Sequence, residues 1–237
     1  MYFSFLLTAA EEGAEAIQAA PKPSWFETAF GKLGELTPVT WIAVGALIAL
    51  AIILLVIARK GKKWTPQMLA MGALSIALSF LLSYIKLFSM PLGGSVTLCS
   101  MLPIMLFAYA YGLPHGLLAG LGYGLLQLIQ KQPAVADLIG TLLDYPIAFA
   151  LLALAALGHK FPNKIALHAG ILLGGIGRLI GSYLSGVTVY AKYAPYTPAL
   201  YSLVYNGTYI GIEILMCLVI VSIPTVRSAI NRVYKSK

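Results

Sequence analysis

Apolar runs of membrane-spanning length recur seven times along this chain, at about 39–58, 66–88, 96–111, 115–129, 137–157, 164–189 and 199–224. A bilayer core takes about 20 predominantly apolar residues per helix, so this pattern predicts an all-α integral membrane protein. The breaks between runs are of the kind on which helices end. They include Arg59-Lys60-Gly61-Lys62-Lys63, Gly93-Gly94, Gly112-Leu113-Pro114, Lys131-Gln132-Pro133 and Phe161-Pro162. Composition removes the soluble alternative: 59% of the 237 residues are apolar and 10% are charged. A water-soluble domain carries roughly a quarter charged residues.

The net charge of +8 invites a nucleic-acid reading until the charges are placed on the spans. With the first basic cluster taken as cytoplasmic, ten of sixteen cations fall inside: Arg59, Lys60, Lys62, Lys63, Lys160, Lys164, Arg227, Arg232, Lys235 and Lys237. Lys22, Lys32, Lys86, Lys131 and Lys192 fall outside or at the outer boundary, and Arg178 lies within a span. The positive-inside rule then predicts the N-terminus outside and the C-terminus in the cytoplasm. Topology accounts for the basic charge, and no nucleic-acid partner is expected.

This map divides the chain into four segments. Residues 1–38 form an extracellular stretch with five of the eight carboxylates, Glu11, Glu12, Glu15, Glu27 and Glu35. This stretch lacks the basic start of a secretory signal. Residues 39–58 are one transmembrane helix, residues 65–225 a six-helix membrane domain, and residues 226–237 a basic tail. Cys99 and Cys217 each sit within an apolar run and are read as buried thiols. His115, His159 and His168 fall toward the cytoplasmic side and read as structural. No Walker A sequence, nucleophile elbow or metal-ligand spacing occurs, so neither an enzyme, a cofactor nor self-powered ATP-driven transport is expected.

Chemistry concentrates in three ionisable residues inside spans: Asp144, Arg178 and Glu213. Each costs about 2.5–3.5 kcal/mol to insert, so each calls for a partner, a cavity or a ligand. Asp144 lies about 10 Å into its span at 1.5 Å per residue, and Arg178 sits at a comparable depth. One reading pairs them as a structural unit; the other turns Asp144 toward a ligand cavity that Arg178 helps to shape. Glu213 lies seven residues beyond Asn206, on the same helix face. Near the outer ends cluster Ser182, Tyr190, Tyr193, Tyr196, Tyr201, Tyr205 and Asn206. Aromatic faces attract cations, a carboxylate supplies a counter-ion, and an Asn amide offers both a donor and an acceptor. Together they describe a pocket for a small, flat, cationic molecule. Separately, Ala70, Ala73 and Ala77 place small side chains on one helix face, a surface that permits close approach of another helix.

Several stretches, in order across residues 65–225, resemble the thiamin-specific substrate-binding (S) components of energy-coupling factor (ECF) transporters. They are residues 89–97 leading to Leu102-Pro103-Ile104, Leu142-Leu143-Asp144-Tyr145 with Ala148-Phe149, Arg178 through Ser185-Gly186, Tyr193-Ala194-Pro195, and 201–207. The resemblance implies a six-helix S-component core preceded by one extra N-terminal transmembrane helix. It implies thiamin as ligand, in a pocket near the outer face capped by the loop around Gly93 and Gly94. It assigns ligand contact to Asp144, Tyr190, Tyr201 and Asn206, with Tyr145, Arg178, Ser182, Tyr193 and Gly94 completing the expected site. Ala73 and Ala77 match the small-residue pattern that docks the transmembrane coupling subunit, which works with two ATPase subunits in a bacterial cell membrane. Ser182 stands where the family commonly has His. Gly94 and Tyr190 stand where some members have Trp. The competing readings are an S-component for another cationic or heterocyclic vitamin, and a proton-coupled carrier acting alone through Glu213 or Asp144.

Overall fold

The computed structural model describes residues 56, 63–90, 93–130 and 138–235 of the chain. The expected segment 1–38 and nearly all of the expected span 39–58 lie outside the described residues. The described chain folds as a bundle of six helices: α1 (Pro66–Tyr84), α2 (Leu102–Tyr111), α3 (Leu113–Gln130), α4 (Ile139–Lys160), α5 (Ala166–Thr188) and α6 (Pro198–Ser222). A further helix, α7 (Pro224–Lys235), comes directly after α6. Helices α1, α4, α5 and α6 are long and apolar enough to cross a membrane, and α2 is a shorter apolar helix.

Local sequence sets the ends. Thr65 caps α1, its hydroxyl accepting from the Met68 N–H at 3.2 Å, with Pro66 in the first turn where its missing N–H costs nothing. Gly112 closes α2 with φ +93°, a conformation in which a side chain would be strained.

The expected helix at 96–111 begins later than its apolar run. Lys86–Ser89 (β1) and Ser95–Thr97 (β2) form an antiparallel hairpin, and α2 starts at Leu102. Helical turns cannot run through Cys99, which takes a φ of +54°, and Pro103 is tolerated only in a first turn. The same hairpin cuts the expected 66–88 span back to Tyr84. The other four spans begin and end within a few residues of expectation.

Burial is arranged for lipid. On α5 the exposed stripe is Leu172, Ile176, Ile180 and Leu184, whereas its buried face holds Gly170, Gly174, Arg178, Gly181, Ser182 and Ser185. Large apolar side chains point outward and small or polar ones inward, the reverse of a soluble helix. The small residues let backbones approach. A Cβ on Gly181 would stand 2.8 Å from Ala148 Cα, and one on Gly124 would stand 2.6 Å from the Tyr145 carbonyl oxygen. Helix α4 is thus clamped between α3 and α5.

The clamped stretch of α4 is irregular. Pro146 has no N–H to offer the carbonyl one turn back, and the helix widens into a π turn over Leu143–Ile147. The Ala148 N–H reaches back five residues to Leu143. Beyond Ala150 the helix tightens into a 3-10 form over Leu151–Lys160.

This packing predicts opposite signs for one substitution at two glycines. Gly124→Ala should lower the thermal unfolding midpoint in detergent, by about 1–3 kcal/mol of overpacking against the α4 backbone. Gly211→Ala, where nothing lies within 4 Å of the new Cβ, should leave it unchanged or raise it by up to about 1 kcal/mol.

Candidate ligand-binding site

A cavity of about 280 Å³ opens at one end of the bundle, between the hairpin, α4, α5 and α6. That volume lies near the lower end of small-molecule sites, for which about 300–1,000 Å³ is common. Of the nine residues expected at the site, eight line it: Gly94, Asp144, Tyr145, Arg178, Ser182, Tyr190, Tyr201 and Asn206. Tyr193 does not. It sits in the 3-10 turn Tyr190–Tyr193 after α5, its ring 6.5 Å from that of Tyr190 and 5.0 Å below the Lys192 ammonium.

Of the two readings of Asp144 and Arg178, the geometry does not follow the one that pairs them with each other. Arg178 donates to Glu213 Oε2 at 3.0 Å, joining α5 to α6 in a buried ion pair. The other oxygen of Glu213 accepts from the hydroxyls of Thr97 (2.5 Å) and Ser100 (3.0 Å). Glu213 is fully enclosed. The Arg178 guanidinium also lies 4.7 Å from the centre of the Phe149 ring, within cation–π range. Asp144 instead accepts from the Ser185 hydroxyl at 2.7 Å and is half-buried at the cavity wall. Arg178 and Glu213 offset each other, so Asp144 is the carboxylate left facing the hollow. Lys86, exposed at the rim on β1, is the other cation among the lining residues.

Helix α6 supplies the aromatic wall. Tyr201, Tyr205 and Tyr209 recur every four residues and so share a face. Their successive ring centres are 5.9 and 5.8 Å apart, the first pair stacked and the second edge-on. Tyr205 also accepts from the Gly94 N–H at 3.0 Å, holding the hairpin turn against α6.

Asn206 lines the cavity, yet its amide already serves the protein. Its nitrogen donates to the carbonyls of Ser182 and Ser202 and to the Ser202 hydroxyl, at 3.0–3.2 Å. Its oxygen accepts from the Tyr209 hydroxyl at 2.9 Å. One lone pair on that oxygen is its remaining capacity. Asn206 is thus chiefly a brace between α5 and the tyrosine face.

Sequence reasoning placed Tyr205 in the outer tyrosine cluster but did not place Phe149, Tyr209, Gln130 or Lys86 at the site. The four-residue spacing of the tyrosines was a usable signal. Phe149 was hidden because residues 144 and 149 stand about 140° apart on an ideal α-helix. The π turn at Pro146 removes much of that angle and brings both to the same hollow. Ala73 and Ala77 do not line it and are exposed on the outer face of α1.

Comparison with known proteins agrees with this architecture. A thiamine transporter ThiT from Bacillus subtilis (strain 168) is 30% identical over 145 residues, covering 56% of this chain and 75% of the relative. A solved structure of ThiT from Listeria monocytogenes superposes with a TM-score of 0.61 at 22% identity, covering 70% of this chain and 96% of that one. At that identity the superposition speaks for the fold. The match that decides the family covers residues 69–232, the six-helix bundle and most of α7, and on it this chain belongs to the thiamine transporter protein family (Thia_YuaJ).

Proposed function

We propose that this multi-pass membrane protein captures thiamin at the cavity and delivers it as the substrate-binding subunit of an ECF-type transporter. The observation that carries the reading is the division of charge. Glu213 engages Arg178, while Asp144, with its Ser185 bond, faces the hollow. A guest with one fixed positive charge can pair with Asp144, and the tyrosine wall of α6 gives its rings a face to stack on. Family membership and the thiamine transporter from Bacillus subtilis favour thiamin as that guest.

Desolvation gives the selectivity. A cation entering this site exchanges water for one carboxylate and aromatic faces, whereas a neutral analogue leaves the Asp144 charge uncompensated. Glu213 supports capture over a proton-driven carrier: its oxygens are taken by Arg178, Thr97 and Ser100 rather than open to a proton path.

Orientation and partners complete the proposal. Lys63, Lys160, Lys164, Arg227 and Arg232 gather at the end of the bundle away from the cavity, which favours that end as cytoplasmic. The cavity then opens outward, with the N-terminus outside and the C-terminus inside. The exposed Ala73 and Ala77 offer α1 a close-packing face for the transmembrane coupling subunit, through which two ATPase subunits supply the energy.

Isothermal titration of the purified chain with thiamin should give saturable heat, and its absence beside heat from another vitamin would remove thiamin as the substrate. Asp144→Asn should weaken that binding by at least about tenfold, and an unchanged affinity would make Asp144 purely structural. Tyr205→Phe should retain the stacking face but speed ligand release by about 2–10-fold, because the turn at Gly94 loses one hydrogen bond. A double Ala73→Trp, Ala77→Trp variant should bind thiamin normally yet fail in cellular uptake; normal uptake would move the docking face elsewhere.

A further inference from the structure

Opposite the cavity the bundle carries a face of one sign. The described cations there are Lys63, Lys160, Lys164, Arg227 and Arg232. Among the described residues the carboxylates are Asp144, at the cavity, and Glu213, paired with Arg178, so none offsets this charge. Helix α7 organises the face. It departs from α6 at Pro224, and its Val226 and Ile230 are half-buried, Ile230 against the hydrophobic core. Ser228, Ala229 and Arg232 remain exposed. The Arg227 guanidinium donates to the Lys164 carbonyl at 2.9 Å, fastening α7 to the turn between α4 and α5.

Exposed apolar side chains stand beside these cations. Phe161 adjoins Lys160, Ile165 adjoins Lys164, Trp64 adjoins Lys63, and Ile223 precedes α7. An acidic soluble partner would match the charge but not these apolar neighbours. A phospholipid matches both, with a phosphate for each cation and acyl chains for the side chains just below it. The location agrees, since α7 begins where a membrane-crossing helix ends.

We propose that α7 and the α4–α5 turn form a binding surface for anionic phospholipid headgroups, with Arg227, Arg232, Lys160 and Lys164 as its phosphate ligands. Bound lipid would fix α7 in the interface and anchor that end of the bundle independently of thiamin.

Native mass spectrometry of the full chain in neutral detergent tests this, with phosphatidylglycerol and phosphatidylcholine as competing probes. Wild-type protein should retain phosphatidylglycerol preferentially, and the preference should shrink as salt rises. Arg227→Gln with Arg232→Gln should weaken phosphatidylglycerol binding by about fivefold per cation removed, with thiamin binding unchanged. Because Arg227 also fastens α7, Lys160→Gln with Arg232→Gln, both exposed, is the second variant and should show the same loss. Equal retention of the two lipids by wild type overturns the proposal and leaves the face to an acidic protein partner. A phosphatidylglycerol preference that survives both variants overturns it as well, placing lipid elsewhere on the chain.

Discussion

The Arg178–Glu213 ion pair is the contact on which the cavity end of this bundle depends. Two charges so far from water are costly alone, and the mutual attraction repays that cost only when the remaining hydrogen-bonding capacity is met. Here it is met from four directions. Arg178 comes from α5 and Glu213 from α6; Thr97 and Ser100 bring in the hairpin and the entry to α2, and the Phe149 face brings in α4. Losing either charge would strand the other among apolar neighbours, a situation that costs about 3–5 kcal/mol in buried pairs. The elements around the hollow are therefore fixed to one another by a network that a ligand need not supply.

That network frees Asp144 for a different task. Two carboxylates competing for one guanidinium would leave the ligand's counter-charge ambiguous; assigning Glu213 to Arg178 resolves it. The backbone does the rest. Pro146 opens the π turn, and the glycines at 124 and 181 let α3 and α5 close on its two sides. Irregular backbone in a membrane persists only where neighbouring elements cover it. Without such close flanks, the turn that aims Asp144 and Phe149 into one hollow would be exposed to hydrocarbon.

How much of this the amino-acid sequence disclosed depended on the range of the interactions involved. The six helices were legible because span length and helix breakers are local signals. Eight of nine expected site residues line the cavity because they cluster near the same ends of adjacent spans. The partner of Arg178 was not legible. Depth counted from span ends put Asp144 and Arg178 level with each other and left Glu213 without a named partner, and only packing brings Glu213 to Arg178. The hairpin was masked by its own composition, since Ser95-Val96-Thr97 extends an apolar run without a change of hydropathy and the left-handed turn at Cys99 leaves no residue signature. Tyr193 shares a 3-10 turn with Tyr190 beyond the end of α5, and the turn brings Tyr190 but not Tyr193 to the cavity, a distinction that spacing along the chain does not carry.

The same geometry accounts for the residue at position 94. The resemblance set Gly94 where some members of that family have Trp, a difference that by itself would take stacking surface from the hairpin. In the folded chain a Cβ on Gly94 would come within 2.8 Å of the Tyr205 hydroxyl and 3.1 Å of the Tyr209 ring. The space that a hairpin side chain would occupy is thus already filled by aromatic groups of α6, and the glycine is what permits its N–H to reach Tyr205. Aromatic surface at this point of the cavity comes from a helix rather than from the hairpin. A ring carried on α6 is held by its neighbours at 201, 205 and 209 and by the Asn206 brace, so less of its freedom remains to be lost when a ligand stacks on it.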